Sequence, residues 1–515
     1  MPVRKITSKK CPSALSEFRV KVLDIEAGHN EVVLNENDAQ CMDVDLLDRV
    51  KLTFGRSEET AIVDFSHGFV RSGEVEVFLE IAEKLGVKTG DIVKLEPTNR
   101  PESLDFIRKK LDNKVLTPVE IKAIIEDLMH EHLSNAELAA FISAVYINEM
   151  NMDEITALTN AIYESGERLD FPKNQIVITE HSIGGVAGDR VSVLIIPILA
   201  SLGLTAPKTC TRAISSAAGT ADTLEVICPV SLTIEQIKST LKKTGCCLVW
   251  GGAVNMAVAD DKLIKIRNPL HLDPKCLLLS SILAKKKAEG ATHFILDIPV
   301  GRGAKIADAK LGKELALDFQ NLGTKIGMKV QVLITDGSEP VSMDVGPALE
   351  ARAIIKAFKT GEGMLAQKAC TIAGAALSLV KGIRREEGYM IAMHQMTSGK
   401  AYAKFKDMIT AQGGNPEISE NDISIGQITC EVKSDADGKV DHIDNKAISR
   451  IVRALGAPSD KEAGISIKVH LGSQIKKGDT LYVMYTTSES KLAYAKEQVK
   501  NYQVVEVEKI IIDTI

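Results

Sequence analysis

The stretch ITEHSIGGVAGDRVSVLIIPILASLG, residues 178–203, decides the fold class of this chain. It predicts a strand that ends at Glu180, then a glycine-rich loop, and then an apolar helix that begins near Asp189. An apolar strand followed by a tight turn and a helix is the repeating unit of a parallel sheet covered by helices. We therefore expect this part of the chain to form an α/β domain with a mostly parallel sheet.

The same alternation continues along the chain. Further strand-like segments are CCLVWGG, THFILDIPV and MKVQVLITDGS, and helical segments separate them. We assign residues 173–257 plus 291–420 to this α/β domain, which we expect to bind phosphate. In such sheets ligands bind in the crevice outside the carboxyl ends of the strands, so site residues are expected directly after the strands.

A helical pattern precedes the α/β domain. Three stretches carry apolar residues at three- and four-residue steps, which is typical of amphipathic helices. Thr117, Ser134 and Asn151 lie at the starts of these stretches and are residue types that cap helices. We assign a helical domain to residues 103–172 plus about 258–290.

The two ends of the chain are rich in strand-like segments. Segments from FRVKVLDI to KTGDIVKLEP, with one helical stretch, VEVFLEIAEKLGV, predict a small β-barrel over residues 1–98. The last segments, including GISIKVHLGSQIKKGDTLYVMYT, predict an α+β domain over residues 421–515. The predicted fold class is therefore multidomain α/β, with an N-terminal small β-barrel, a helical domain, a mostly parallel-sheet α/β domain and a C-terminal α+β domain.

The composition is that of an ordinary globular protein. Of the 515 residues 45% are hydrophobic and 26% are charged, and the length favours more than one domain. The formal net charge of -6 argues against a broad nucleic-acid-binding surface, so the expected ligand is small. The start, MPVRKITSKKCPSALSEF, lacks the apolar core of a signal peptide, and we expect no segment that spans a membrane. We expect a cytoplasmic protein with no nucleic-acid and no membrane partner.

The nine cysteines form no CxxC pair, and no His/Cys cluster has the spacing of zinc ligands. We therefore predict that the chain binds no metal. We also expect all nine cysteines to be buried free thiols, as is typical of a reducing compartment.

The loop after the first predicted strand resembles a phosphate-binding loop. Gly184, Gly185 and Gly188 let a backbone approach an anion closely, and the following helix offers its unpaired N–H groups. His181 and Ser182 add polar side chains. A tight strand-to-helix turn without a ligand accounts for the same glycines equally well.

A second polar segment is KTCTRAISSAAGTADTLEV. Its hydroxyl groups and single guanidinium are what a phosphate or a phosphorylated sugar needs from a site. The alternative is a polar loop that ends in a helix cap. The candidate residues are Thr211, Arg212, Ala213, Ile214, Ser215, Ser216 and Thr220.

Two further segments supply candidate residues. Asp273, followed by proline, has the pattern of a helix N-cap, and capping is its commoner role. Ser281 and Lys285 lie four residues apart on one helix face, where they could meet a ligand or simply face solvent. Lys305 follows GRGA after a predicted strand, so it either reaches the ligand crevice or is a surface lysine.

These four segments, in this order, resemble the thymidine phosphorylase family of nucleoside phosphorylases over roughly residues 104–515. HSIGGVAGD at 181–189 is similar to the family's histidine-serine-glycine loop, and SILAKK at 281–286 is similar to its base-side helix. The chain departs from the pyrimidine enzymes at Glu180, where they carry a lysine, and near Ala187, where its loop has one more residue.

The segment at 211–222 and the N-terminal barrel resemble the archaeal AMP phosphorylase branch of this family. The resemblance implies that AMP and phosphate give adenine and ribose 1,5-bisphosphate, that CMP and UMP are also substrates, and that no cofactor is needed because phosphate is a co-substrate. It also implies a homodimer formed through the helical domain, and a larger homo-oligomer formed through the barrel.

The resemblance also implies roles for individual residues. Asp273 would donate a proton to the leaving base, in addition to or instead of capping its helix. Contacts with the nucleotide would come from Gly185, Thr211, Arg212, Ala213, Ile214, Ser215, Ser216, Thr220, Ser281 and Lys305, and we add His181, Ser182 and Lys285. Three other functions stay open: a thymidine or uridine phosphorylase, a magnesium-dependent phosphoribosyltransferase of anthranilate type, and a scaffold without catalysis.

Overall fold

The structure, a computed structural model, describes residues 16–213 and 216–509. Ile214 and Ser215, two of the predicted ligand contacts, lie outside the described residues. The chain divides into two compact units, Met1–Ser165 with Val258–Ser280, and Gly166–Ala257 with Ser281–Ile515. The finer division into four domains stays a prediction.

The first unit contains a closed β-barrel, which confirms the predicted small barrel. Its six strands are β1 (Glu17–Val22), β2 (Glu31–Asn35), β3 (Arg49–Phe54), β4 (Ser57–Ser66), β5 (Glu74–Val77) and β6 (Ile92–Thr98). They pair in the order β1-β5-β2-β4-β3-β6, and β6 closes the ring by pairing with β1. Inward-facing apolar side chains such as Phe18, Leu34 and Val50 fill the interior.

Two barrel segments differ from the sequence expectation. The start of VEVFLEIAEKLGV is the strand β5, and only its second half forms a helix, α2 (Leu79–Leu85). Pairing with β1 on one side and β2 on the other overrides the local helical pattern. The stretch HNEVVLNENDA, which is expected to be strand-like, forms a strand only in its first part. After β2 the chain turns at once into a short helix, α1 (Glu36–Cys41), because the Asn35 side chain accepts a hydrogen bond from the Asn37 amide and caps it.

Four helices follow the barrel, and the predicted caps are confirmed. Thr117, Ser134 and Asn151 each accept a backbone N–H in the first turn, and each forms a capping box with a glutamate three residues later. The helices are α3 (Ser103–Leu111), α4 (Pro118–Met129), α5 (Asn135–Ile147) and α6 (Met152–Glu164).

The second unit begins with parallel strands, as predicted. The glycine-rich loop lies between the strand β7 (Ile178–Ser182) and the helix α7 (Val191–Ser201). The strand therefore ends two residues after Glu180, its expected end, and the helix begins two residues after Asp189, its expected start. Next come β8 (Ala206–Cys210), α8 (Thr220–Leu224), α9 (Ile234–Thr244) and β9 (Cys246–Trp250). Strands β8 and β9 pair in parallel.

The chain then passes through the last part of the first unit and returns to the sheet. The elements of residues 258–336, in chain order, are α10 (Val258–Arg267), α11 (Lys275–Ala288), β10 (His293–Val300), α12 (Ala309–Lys325) and β11 (Lys329–Asp336). Strand β10 lies between β7 and β11 and is parallel to both. The helix α11 crosses the boundary between the units at Ser280 and Ser281.

A helical layer packs against this sheet. After the short strand β12 (Asp344–Val345) come α13 (Pro347–Thr360), α14 (Gly363–Lys381), α15 (Arg385–Thr397) and α16 (Lys400–Ala411). By length and composition alone α14 is long and apolar enough to cross a membrane, whereas the sequence analysis expected no such segment. Its buried face belongs to the apolar core that it shares with α7, as in the core helix of a globular domain.

The last part of the second unit contains two small antiparallel sheets around one core. The bounds of its elements are β13 (Ile428–Lys433), β14 (Gly438–Ile443), α17 (Asn445–Ala454), β15 (Gly464–Ile467), β16 (Gln474–Ile475), β17 (Thr480–Thr486), α18 (Glu489–Asn501) and β18 (Val505–Lys509). The strand orders are β12-β15-β17-β13 and β16-β14-β18. Helices α17 and α18 pack on each other beside the sheets.

The cysteines depart from the expectation of nine free thiols. Cys41 is disulfide-bonded, so the expectation is wrong at this residue. Cys11 lies outside the described residues. The other seven are free, and all of them except Cys430 are buried.

Candidate functional site

The predicted site residues of the second unit lie at the carboxyl ends of its parallel strands. His181 and Ser182 end β7, Thr211 and Arg212 follow β8, and Lys305 follows β10. We call residues 183–190 the first loop and the described residues 211–213 and 216–219 the second loop. Their position is the one at which parallel α/β sheets bind ligands.

The first loop packs directly against neighbouring backbone, and glycine is required for this approach. A Cβ atom on Gly185, whose φ is +88°, would lie 2.5 Å from the backbone nitrogen of Lys305. A Cβ atom on Gly188, whose φ is +65°, would lie 2.5 Å from the carbonyl oxygen of Ser342. The structure therefore brings together Gly185 and Lys305, two predicted site residues that are far apart in sequence.

A buried charge cluster lies beneath the first loop. The Ser182 hydroxyl donates to Asp297 Oδ2 at 3.1 Å, and Lys368 pairs with both Asp297 and Asp189 at 2.9 and 2.8 Å. Burial raises the pKa of Asp297, with a further increase from the neighbouring Asp189, while Lys368 opposes both effects. Ser182 is therefore held by the protein's own carboxylate.

His181 lies among four lysines. Burial lowers the pKa of His181 well below its ordinary value, and the positive charges of Lys208, Lys286, Lys285 and Lys305 lower it further. The imidazole is therefore neutral near pH 7, and the surrounding field favours an anion.

Of these lysines, Lys208 and Lys286 are buried and were not predicted as site residues. Lys286 donates to the buried carboxylate of Glu289 at 2.6 Å, and burial lowers the pKa of Lys286 to about 8. Lys208, on β8, donates to the carbonyl oxygen of Glu180 and lies 3.7 Å from its carboxylate. A lysine on β8 therefore lies beside the glutamate at position 180 of β7.

Arg212 is bound to the protein's own carboxylates in this structure. Its guanidinium donates to Glu225 at 2.6 and 2.7 Å and to Asp222 at 3.2 Å, and it lies over the ring of Trp250 at 4.7 Å from the centroid. Hydrogen bonding to Glu225 raises the pKa of Arg212 above its ordinary value. The predicted contact between Arg212 and a ligand requires this group to leave Glu225, and it stays a prediction.

Asp222 organises the rest of the second loop. Its Oδ2 accepts the backbone N–H groups of Ala213 and Gly219, at 2.7 and 2.9 Å, just before Thr220 starts α8. The Ser216 hydroxyl donates to a carbonyl oxygen within the same loop. Thr211, at the start of the loop, is exposed.

The remaining candidates lie around α11. Asp273, in the first unit, accepts a hydrogen bond from Arg267 and lines a pocket of about 120 Å³ with Tyr146. Ser281 is buried and Lys285 is half-buried, one helical turn apart, in the second unit. Over residues 16–213 and 216–509, no group of three or more His, Cys, Asp or Glu is placed to hold a metal ion.

Three parts of the sequence match known families. Residues 104–166 match the glycosyl transferase family, helical bundle domain, and residues 174–402 match the a/b domain of the same family. Residues 439–506 match the pyrimidine nucleoside phosphorylase C-terminal domain.

Curated relatives match almost end to end. The AMP phosphorylase of Pyrococcus furiosus is 40% identical over 499 residues, which cover 96% of this chain and 99% of the relative. The chain belongs to the AMP phosphorylase family. The family's proteins from Methanosarcina barkeri and Thermofilum pendens are each 42% identical, and the matches cover 95% and 92% of this chain and 97% and 92% of those relatives. The resemblance inferred from the motifs is confirmed.

A solved structure with low sequence identity shares the fold. The anthranilate phosphoribosyltransferase of Thermus thermophilus has a TM-score of 0.52 at 19% identity, and the match covers 60% of this chain and 99% of that one. At this identity the match shows only that the matched part of the chain shares a fold with the transferase. It carries no conclusion about the reaction.

We predict that Gly185→Ala disturbs the candidate site far more than Gly184→Ala. Both glycines have a positive φ, so each alanine costs about 1–2 kcal/mol of backbone strain. Only at Gly185 does the added Cβ meet neighbouring backbone, and it would push the loop away from Lys305. Thermal stabilisation by inorganic phosphate, measured in both variants, should be weakened in Gly185→Ala and retained in Gly184→Ala. Equal losses in the two variants would show that the contact with Lys305 is unimportant.

We also predict that His181 makes the protein less stable in acid. The unfolded chain binds a proton at this histidine below about pH 6.5, whereas the folded protein, with its lowered pKa, does not. Stability is therefore lost as the pH falls below that value. The thermal midpoint of His181→Gln should fall less than that of the wild type between about pH 7 and about pH 5.5. A fall of the same size in both proteins would contradict the lowered pKa.

Proposed function

We propose that this chain cleaves AMP with inorganic phosphate to give adenine and ribose 1,5-bisphosphate. The observation that carries the proposal is the near full-length similarity to AMP phosphorylases, combined with the lysines around His181. Both reactants are anions, and the second unit offers cations and backbone N–H groups at its strand ends.

The reaction needs an anionic nucleophile held against the sugar carbon that carries the base. Lys208, Lys285 and Lys305 would attract the anions to His181, and the close-packed first loop would hold its N–H groups in fixed directions. Donors that are fixed in advance stabilise developing charge without reorganising, and holding both reactants removes much of the entropic barrier. Neutral His181 can donate one hydrogen bond without binding an anion as a permanent ion pair.

The base must leave in a protonated form, and Asp273 is the proposed proton donor. Donation requires the Asp273 carboxyl group to be protonated in the nucleotide complex, and in this structure the group is paired with Arg267. A base and a phosphorylated sugar near the carboxylate would favour that protonation by desolvation.

We include four further properties in the proposal. CMP and UMP are also substrates, no metal or other cofactor is required, the protein acts in the cytoplasm, and its homodimers assemble into a larger homo-oligomer through the barrel. The motif resemblance supports them. A thymidine or uridine phosphorylase is the alternative function, since the C-terminal segment matches that family.

The test is release of adenine from AMP and phosphate without added metal. Parallel reactions contain adenosine, thymidine or uridine in place of AMP, and a further reaction contains a metal chelator. We expect adenine and ribose 1,5-bisphosphate from AMP, with or without the chelator. Cleavage of nucleosides but not of AMP would move the assignment to a thymidine or uridine phosphorylase. A strict need for magnesium and pyrophosphate would support a phosphoribosyltransferase of anthranilate type.

Replacing the proposed acid should separate catalysis from helix capping. We expect Asp273→Asn to reduce kcat by about 10²–10⁴-fold, the usual contribution of a general acid, with a small change in the KM for AMP. Steady-state kinetics and the thermal midpoint are measured together. Unchanged turnover with a lower midpoint would assign Asp273 to capping alone.

A further inference from the structure

We propose that the C-terminal segment of this chain, residues 445–461, positions both anion-binding loops, with Asn445 holding the first loop and Lys461 holding the second. The inference rests on the proposed function, because it assigns these residues to loops that would bind the substrates. All the contacts lie within the second unit. We call these two side chains positioning residues.

Asn445 connects two loops through one buried side chain. It begins α17 and is 2% exposed. Its Oδ1 accepts the backbone N–H of Ala187 at 2.9 Å, and its Nδ2 donates to the carbonyl oxygen of Gly337 at 3.2 Å. A Cβ atom on Gly303 would lie 3.6 Å from the Asn445 backbone nitrogen. Asn445 therefore binds the segments that follow β7 and β11, and it lies close to the segment that follows β10.

The contact fixes the middle of the first loop. The peptide groups on both sides of Ala187 are held, since its N–H binds Asn445 and its carbonyl oxygen accepts the N–H of Val341 at 3.1 Å. A loop held in this way presents its remaining N–H groups in constant directions. An asparagine suits the position because one amide supplies both the acceptor and the donor that these neighbours require.

Lys461 acts on the second loop through two carboxylates, one in α8 and one directly after it. Its Nζ lies 3.0 Å from Glu225 and 3.5 Å from Asp222, the two carboxylates that bind Arg212. Asp222 in turn accepts the N–H groups that shape this loop. A guanidinium nitrogen of Arg453, on the same segment, donates to a carbonyl oxygen of the loop, that of Ser216, at 3.3 Å. The second loop is thus held by the same segment as the first.

Lys461 and Arg212 share the carboxylates of Asp222 and Glu225, so Lys461 affects how easily Arg212 can leave them. With Lys461 present, Asp222 and Glu225 face two cations, so Arg212 can turn toward a phosphate without leaving both carboxylates unpaired. Without Lys461, moving Arg212 would expose uncompensated negative charge beside an anionic substrate. Loss of Lys461 should therefore weaken substrate binding while the fold is retained.

The test compares Asn445→Ala and Lys461→Met with Lys446→Ala as a control. Lys446 follows Asn445 on α17, and its side chain is exposed. We measure kcat, the KM for phosphate and the KM for AMP, together with the rise in thermal midpoint caused by inorganic phosphate. Each test variant should raise at least one of the two KM values by about 10-fold or more, since a misplacement of about 1 Å can cost about 10²-fold. Lys446→Ala should match the wild type.

A rescue variant separates positioning from general loss of stability. Lys461→Met keeps most of the aliphatic stem without the charge, whereas Lys461→Arg keeps the cation. KM values that return to within about 3-fold of the wild type in Lys461→Arg, but not in Lys461→Met, assign the effect to the charge and not to packing. Lys461 is 34% exposed, so its variants are expected to fold even if Asn445→Ala does not.

Failure of the positioning proposal can be distinguished from failure of the proposed function. If the wild type releases no adenine, the proposed function is wrong, but the thermal shift with phosphate still tests the loops without any turnover. The positioning proposal is overturned if both variants keep wild-type KM values and wild-type phosphate shifts. It is also overturned if Lys446→Ala shows the same losses as they do.

Discussion

The buried carboxylate of Glu289 is the interaction on which the arrangement of the strand ends depends. It has no exposed surface, and it accepts hydrogen bonds from the Thr179 hydroxyl, from the backbone N–H and the hydroxyl of Thr209, and from Lys286. A buried charge with these partners is tolerated, and the same charge without them would cost several kcal/mol. Three candidate site residues, at positions 181, 211 and 285, each lie within two residues of one of these partners. One carboxylate therefore sets the register between α11, β7 and β8.

The local charge around His181 is opposite in sign to that of the whole chain. The net charge is -6, but the positive charges of four lysines act on this histidine, and two of these lysines, Lys208 and Lys286, pair with the buried Glu180 and Glu289. Attraction of small anions to such a site does not require a basic protein, because a cleft with low-dielectric walls concentrates the field of a few charges. Burial first, and the same positive field second, lower the pKa of His181 and keep the imidazole neutral.

The parts of the fold that depend on local sequence could be predicted. Thr117, Ser134 and Asn151 cap helices because a cap needs only the next three residues, and the strand–loop–helix order of residues 178–203 follows from hydrophobic periodicity. Strand β5 could not be predicted, since its conformation depends on pairing with β1 and β2. Asn445 was missed for the same kind of reason: its hydrogen-bond partner in the first loop lies 258 residues away. Motifs therefore indicated the residues proposed to face a ligand, whereas the groups that hold those residues come from distant segments.

The closed barrel has a consequence for how copies of this protein can meet. A sheet with a free edge can extend by pairing its unsatisfied N–H and C=O groups with a strand from another molecule. In the barrel every strand from β1 to β6 has a neighbour on both sides, so its backbone groups are used within one chain. Contact between two barrels must then be made by side chains and turns, which can be specific without providing a template for fibre growth.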